Sequence, residues 1–324
     1  MNNTKKSLRP NSFSGFIGQK KLVQTLKVII KSSEEQKNYP DHILFYGSPG
    51  LGKTTLAELI AIYSNRHIVF VQGSLLVLRS DILAIFANVN KGDIIFIDEI
   101  HSINKNLEEL IYSVLEDSVI DISVGPDGDK KIIRMKIQAF TLIGATTNIS
   151  KISQPIKDRF GILSKLEKYN EKELSQIINN SAKLLNCSIT NEQSLKIATY
   201  ANGTPRIANR LLKRIIDFAY FYNQGIITDK IIIKTFDYLS LFKHGLNILH
   251  IEYLNILADV FNMKAASLDA IVSILNESKE VIINDIEASL LSLKLISKTS
   301  RGRKMTQEGY KYLLTYNINT PKIK

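Results

Sequence analysis

The sequence contains one cysteine, Cys187, which excludes an internal disulfide and any cysteine-based zinc cluster. No stretch approaches 18 uninterrupted apolar residues, so no membrane-spanning helix and no membrane partner is expected. No apolar core follows the basic start Met1-Asn2-Asn3-Thr4-Lys5-Lys6, so no secretory signal is read there. Together these absences make a cytoplasmic location the expectation. Negative charge is also in deficit: 31 Asp and Glu face 42 Lys and Arg, a formal net charge of +11. Such an excess suits a polyanion such as nucleic acid, but net charge speaks to non-specific association and not to a site. The remaining composition, 44% hydrophobic and 23% charged, is that of an ordinary globular protein with core enough for two or three domains.

What is present centres on Tyr46-Gly47-Ser48-Pro49-Gly50-Leu51-Gly52-Lys53-Thr54-Thr55, which fits the phosphate-loop pattern G-x-x-x-x-G-K-[ST]. Glycines let the backbone curl so that several N–H groups face one anion. Lys53 supplies a compact cation for the β- and γ-phosphates, and the Thr54 hydroxyl can ligate Mg²⁺. The apolar run Ile43-Leu44-Phe45-Tyr46 before the loop reads as a buried parallel strand. The segment from Thr55 to Ile62 reads as a helix whose N-terminus faces the phosphates. This is a nucleoside triphosphate site.

About 45 residues further on, Ile94-Ile95-Phe96-Ile97-Asp98-Glu99-Ile100-His101 has the form of a Walker B strand. Asp98 at its end would hold Mg²⁺, partly through water, and Glu99 would polarise the attacking water. Helices are expected over 19–33, 81–90 and 105–117. Residues 119–137 then spell a β-hairpin that interrupts the α/β alternation, with a turn at Gly125-Pro126-Asp127-Gly128. Its apolar arms leave two readings open, local packing or an interaction surface. The next strand ends in Thr146-Thr147-Asn148, where a group sensing the γ-phosphate would sit. Arg159 follows Asp158 at the sheet edge; it is either paired with that neighbour or an arginine finger for a neighbouring subunit's phosphates.

From about residue 170 the pattern turns all-helical, with helices expected over 171–185, 191–201, 205–221 and 228–239. Asn202-Gly203-Thr204-Pro205-Arg206 stops one helix and starts the next, with Thr204 as N-cap and Pro205 in the first position. Arg206 thereby falls in a first turn, against the helix dipole. A breach of this kind points to an anionic partner, such as a phosphate. Residues 242–247 read as a linker. Beyond them, helices at 248–261, 267–275 and 279–293 and a hairpin at 295–305 suggest a small winged-helix unit. The hairpin tip, Lys298-Thr299-Ser300-Arg301-Gly302-Arg303-Lys304, carries four cations and no carboxylate, a shape suited to gripping DNA phosphates without reading bases.

With these blocks in view, the chain resembles the RuvB family, the bacterial Holliday-junction branch-migration motors of the AAA+ ATPase class. The resemblance is carried by Leu8-Arg9-Pro10, Phe16-Ile17-Gly18-Gln19, the phosphate loop, Phe96-Ile97-Asp98-Glu99-Ile100-His101, Thr141-Leu142-Ile143-Gly144-Ala145-Thr146-Thr147, Asp158-Arg159-Phe160-Gly161, the block from Gly203 to Leu212, and Arg301-Gly302-Arg303. It implies an α/β fold: an AAA+ P-loop domain with an inserted β-hairpin (1–169), a helical lid (170–241) and a C-terminal winged-helix domain (242–324). It also implies an ATP-dependent DNA motor that drives Holliday-junction branch migration in homologous recombination and repair.

Residue by residue, the resemblance implies that Leu8, Arg9 and Ile17 line the adenine pocket. Gly50, Gly52, Lys53, Thr54 and Thr55 would hold the phosphates, with Thr54 and Asp98 on Mg²⁺. Thr146 would be the first sensor, Arg159 the finger and Arg206 the second sensor. Glu116, Asp117, Ser118 and Tyr169 match nucleotide-associated positions, and Lys298, Arg301 and Arg303 match the DNA-contacting wing. The implied partners are ATP with Mg²⁺, duplex DNA at Holliday junctions, RuvA at the 119–138 hairpin, the resolvase RuvC in a larger complex, and five further copies in a homo-hexamer. The sequence departs from the family pattern at Ser48, Asn148, Gln138-Ala139 and Lys298, the last keeping charge but losing the planar fork of arginine. Two rivals are a clamp-loader-like AAA+ ATPase, whose finger usually sits in Ser-Arg-Cys, and an ATP-switched winged-helix transcription regulator, which has no need of Glu99.

Overall fold

Strands of the first part of the chain are β1 (Ile43–Tyr46), β2 (Ile68–Gln72), β3 (Ile94–Asp98), β4 (Val119–Val124), β5 (Lys131–Lys136), β6 (Thr141–Thr146) and β7 (Ile162–Lys165). β4 and β5 pair only with each other, antiparallel, as the expected hairpin. The other five form an all-parallel sheet in the order β2-β3-β6-β1-β7. The chain is seen here in a computed structural model that describes residues 7–124 and 131–317. The expected hairpin turn at 125–128 lies outside these residues, as does the basic start 1–6.

The near-continuous apolar runs of β1, β3 and β6 are what a strand covered on both faces requires. Ile43, Leu44, Phe45, Ile95 and Leu142 are wholly buried. Because neighbouring strands are parallel, their carboxyl ends open along one edge of the sheet, where α/β folds place ligands. Tyr46 lies in register with Thr146 across β1 and β6, and Asp98 ends β3 on the other side of β6. The phosphate loop, Asp98 and Thr146 therefore share one edge.

The helices of this part are α1 (Lys20–Glu35), α2 (Lys53–Tyr63), α3 (Arg79–Ala87), α4 (Lys105–Asp117), α5 (Gln154–Lys157), α6 (Glu171–Leu184) and α7 (Asn191–Ala198), with α8 (Pro205–Asn223) following. α4 matches its expected span because Asn104 caps it, its side chain accepting from the Asn106 N–H at 3.1 Å. α3 starts two residues early. The Asp81 carboxylate accepts from the N–H groups of Val77 and Leu78 (3.0 and 2.7 Å), which draws the helix start back past it. α7 stops at Ala198, short of the expected 201.

The chain divides into two compact units, one ending at Leu195 and taking in Gly203–Leu212, the other made of Lys196–Asn202 and everything from Lys213 onward. The second unit continues with α9 (Asp229–Tyr238), β8 (Leu241–Phe242), β9 (Leu246–Asn247), α10 (Ile248–Asn255), α11 (Leu268–Leu275), α12 (Lys279–Val281), α13 (Ala288–Ser292), β10 (Ile296–Thr299), β11 (Gly302–Met305) and α14 (Gln307–Asn317). Residues 242–247 are not a plain linker. β8 and β9 pair antiparallel around His244 and Gly245, both left-handed at φ 64° and 75°. The expected helix over 279–293 is continuous, but wider π-type turns replace α turns from Ile282 to Glu287. α10 ends the same way, over Ile256–Val260. The winged-helix core gathers Tyr253, Leu254, Ile271, Ile286, Leu290 and Leu313; the helix α14 that supplies Leu313 was not anticipated.

Candidate functional site

The phosphate loop leaves β1 and enters α2 at Lys53. Gly50 has φ 79°, and a Cβ there would stand 2.7 Å from the Cβ of Arg206, so both its conformation and its neighbour require glycine. α2 begins from Gly52 without a side-chain cap, which leaves its first-turn N–H groups available to an anion. Lys53 is buried, and its Nζ donates to the carbonyls of Gly47 (2.7 Å) and Ser48 (3.1 Å). Burial pushes this ammonium below its ordinary value; the charges of Glu99 and Asp98 push it back up, and Arg206 adds to the lowering. Lys53, Asp98, Glu99 and Arg206 thus lie in one electrostatic neighbourhood, as the sequence reading expected.

On the far side of the loop, Asp98 Oδ1 accepts from the Glu99 N–H at 3.0 Å. Thr54 and Asp98 offer a hydroxyl and one carboxylate. These are hard oxygens of the kind Mg²⁺ takes, and the two residues would hold it together with water and phosphate oxygens. No cluster of three or more His, Cys, Asp or Glu is placed to cage a metal among the described residues.

Glu99 has left-handed backbone, φ 49°. Its Oε2 accepts from the Thr147 N–H (3.1 Å) and hydroxyl (2.9 Å) and lies 3.1 Å from His101 Nδ1. Thr146, fully buried, places its Oγ1 2.9 Å from the same His101 nitrogen. The sensor candidate and the water-polarising candidate are therefore linked through His101. In the sequence His101 is only the last residue of the Walker B block; the link appears with the fold.

Arg206 opens α8, and its N–H donates to the Gly50 carbonyl at 3.4 Å. Tyr169 is buried against Gly18, and its hydroxyl donates to the Leu51 carbonyl at 3.1 Å while its N–H donates to the Gly203 carbonyl at 2.9 Å. Burial raises its phenol well above the usual tyrosine range. Through its hydroxyl and its backbone N–H this residue ties the loop to the turn that precedes α8. Ile17 lines an open cavity of about 730 Å³ with Phe16, Gly18, Asn170, Glu173 and Gln176. Leu8 and Arg9 are not in that lining, and Arg9 is ion-paired with Glu58 of α2.

Arg159 does not pair with Asp158, which instead accepts from Gln154 Nε2 at 2.6 Å. Its partners are the Glu116 carboxylate and the Tyr112 hydroxyl, reached by Nη2 at 2.7 Å, with the guanidinium over the Tyr112 ring at 5.0 Å from the centroid. Tyr112 and Glu116 lie one turn apart on α4 and so share a face. The Tyr112 hydrogen bond, then the Glu116 charge, raise the guanidinium's proton affinity against the effect of burial. Arg159, Tyr112 and Glu116 form a second group, and the charges that shift Lys53 are not among them; Asp117 and the left-handed Ser118 end α4 just after Glu116.

In the second unit, Gly302 turns the wing at φ 127°. Lys298 and Arg303 face each other across β10 and β11, and both reach Glu287. Lys298 Nζ lies 2.9 Å from Oε2, and Arg303 donates from Nε at 2.7 Å to Oε1 and from Nη2 at 3.4 Å to Oε2. Tyr253 donates its hydroxyl to Oε1 at 3.0 Å. The tip itself holds no carboxylate, but two of its four cations are held by one that is wholly buried. Arg301 and Lys304 stand exposed. Glu287 was missed by sequence reasoning, where it looks like one more surface helix acid.

The chain matches three family models in succession: the Holliday junction DNA helicase RuvB P-loop domain over residues 8–166, the RuvB AAA lid domain over 169–241, and the RuvB C-terminal winged helix domain over 243–314. It is 50% identical over 312 residues to the Holliday junction branch migration complex subunit RuvB of Mesomycoplasma hyopneumoniae, covering 96% of this chain and 98% of that protein. The protein of the same name from Ehrlichia ruminantium is 42% identical over 314 residues, 96% of this chain and 94% of its own. Among solved structures, the Thermotoga maritima RuvB Holliday junction branch migration motor superposes with a TM-score of 0.79 at 35% identity, covering 97% of this chain and 99% of that one. Matched from phosphate loop to wing by family models, relatives and solved structure alike, the chain belongs to the RuvB family of P-loop AAA+ motor proteins.

Proposed function

We propose that this chain is an ATP-hydrolysing motor that drives branch migration of Holliday junctions during homologous recombination and repair, working in the cytoplasm as a homo-hexameric ring on duplex DNA. The observation that carries the reading is the convergence of Lys53, Asp98, Glu99 and Arg206 around one phosphate loop, in a chain half identical to named RuvB subunits. The first-turn amides of α2, Gly50, Gly52, Lys53, Thr54 and Thr55 bind the β- and γ-phosphates. Thr54 and Asp98 hold Mg²⁺, which supplies charge neutralisation on the phosphate oxygens. Glu99 orients and polarises water once its carboxylate leaves Thr147, and Thr146 reports the γ-phosphate to it through His101. Arg206 ties the loop to the helical lid, so that a change at the phosphates moves α8. Leu8, Arg9, Ile17 and Tyr169 shape the base side of the site.

Arg159, with Glu116, Asp117 and Ser118, completes the site of a neighbouring subunit, stabilising phosphoryl charge that its own Lys53 does not see. The working division is an ATPase domain at 1–169, a lid at 170–241 and a winged-helix domain at 242–324 whose Lys298, Arg301 and Arg303 touch DNA phosphates. The 119–138 hairpin, with Ile132 and Ile133 exposed on β5, docks RuvA, and RuvC joins the larger complex. A four-way-junction dissociation assay tests the reading. Junctions should be resolved into duplexes only with ATP and Mg²⁺, faster with RuvA, and not by Glu99→Gln. Dissociation that ignores ATP, or ATP turnover indifferent to duplex DNA, would return the chain to its clamp-loader or regulator rivals.

A further inference from the structure

Lys298 and Arg303 are directly opposed across an antiparallel pair, a position in which like charges repel and destabilise the hairpin. Glu287 is wholly buried, where an unpaired carboxylate is strongly disfavoured. Each fault is cured by the other: one carboxylate bridges two cations, and Tyr253 fills the remaining acceptor site on Oε1. The bridge joins a helix residue to both strands of the wing. It uses the Nε and Nη2 edge of Arg303 and one donor of Lys298, so the guanidinium cannot offer that edge to a phosphate as a fork. The other donors of both side chains remain, at adjacent positions and with a combined charge of one cation.

We propose that Glu287 is the positioning residue of the DNA grip, holding Lys298 and Arg303 as a single paired-cation unit that engages one backbone phosphate of duplex DNA. The inference rests on the reading that the wing contacts DNA. A mere wing-fastening role would show in stability alone; a positioning role must also show in the electrostatics of binding. Glu287 touches no nucleotide and acts only through its two cations.

The test is duplex-DNA binding by the full chain as a function of salt. For Glu287→Gln, which keeps the shape and the Tyr253 contact, the slope of log K against log salt should become shallower by about 0.9, the equivalent of one phosphate contact. Affinity at low salt should fall about threefold to tenfold, with the deficit shrinking as salt rises. Glu287→Asp, which keeps the charge but not the reach to both cations, should lie between the two. In a Lys298→Gln/Arg303→Gln background, Glu287→Gln should have no further effect on the slope. An unchanged slope with a lowered melting temperature assigns Glu287 to wing stability alone, and a steeper slope shows that it restrains the grip; either overturns the inference. Should Glu287→Gln not fold, the comparison of Glu287→Asp with the parent chain decides on its slope. Arg301→Ala separates the two levels, because Arg301 is exposed and outside the bridge. If it and Lys298→Gln leave DNA binding untouched, the wing reading itself fails; if they weaken it and the Glu287 variants do not, only the inference does.

Discussion

Glu99, the residue proposed to polarise water, is engaged by ordinary hydrogen bonds: two from Thr147 to its Oε2, with His101 alongside. Nothing in phosphate binding requires its charge, whereas water activation does. Glu99→Gln should therefore bind ATP within a few-fold of the parent and lose turnover by about 10²–10⁴-fold, read by nucleotide titration and phosphate release on the same preparation; near-normal turnover would sink the assignment. The phosphate loop and the Asp98-Glu99 pair were legible as motifs because each is a local word, complete within a few positions. Arg159 and Glu287 were not legible in the same way. The partners of Arg159, Tyr112 and Glu116, come from another helix, and Glu287 meets Arg303 only after a helix, a turn and a hairpin. Of the two readings open for Arg159, the pair with Asp158 is not formed, and Glu287 carries no local signal of its buried partners.

The sheet has its own test in His42, the residue before β1. Its Nδ1 accepts the Leu142 N–H of β6 at 2.9 Å, which requires the neutral ring, and burial pushes its pKa down to about 4 with Asp41 opposing only in part. The folded value lies below the unfolded one of about 6.5. As pH falls the unfolded chain takes up the proton first, so this contribution is complete above about pH 6.5 and is lost on the way down to about pH 4, by about 3 kcal/mol at most. Urea midpoints measured across that range should fall for the parent chain and be flatter for His42→Asn, whose amide oxygen can still accept from Leu142. Equal pH slopes in the two proteins would remove His42 from the account. At this scale, elements with a cap and a full apolar period were legible, α4 to the residue. The β8–β9 pair was not, since two residues per strand carry no alternation, and its left-handed His244 resembles loop sequence. The hairpin 119–137 was seen as an element, but its alternative uses could not be separated by pattern.

At the scale of the whole molecule, the phosphate-loop lysine and the proposed finger have different partners within one chain. Lys53 is shifted by Glu99, Asp98 and Arg206, while Arg159 is engaged with Glu116 and Tyr112. Under the proposed function Arg159 serves a neighbour's phosphates, and its pair with Glu116 holds it in place until one docks. Heterologous contact of this kind closes into a ring when the rotation between subunits allows. Arg159→Ala should therefore abolish ATP turnover although its own loop is intact, and Lys53→Ala should abolish it although its own finger is intact. Mixed in equal amounts and allowed to exchange, the two inactive proteins should regain turnover. About a quarter of the interfaces in a randomly mixed ring then join an intact loop to an intact finger. Steady-state phosphate release with duplex DNA present is the measurement, set against each variant alone and against the double variant mixed with each single one, in which no interface has both an intact loop and an intact finger. Recovery only in the first mixture places the finger in trans; no recovery despite demonstrated subunit exchange assigns Arg159 to its contact with Glu116 alone.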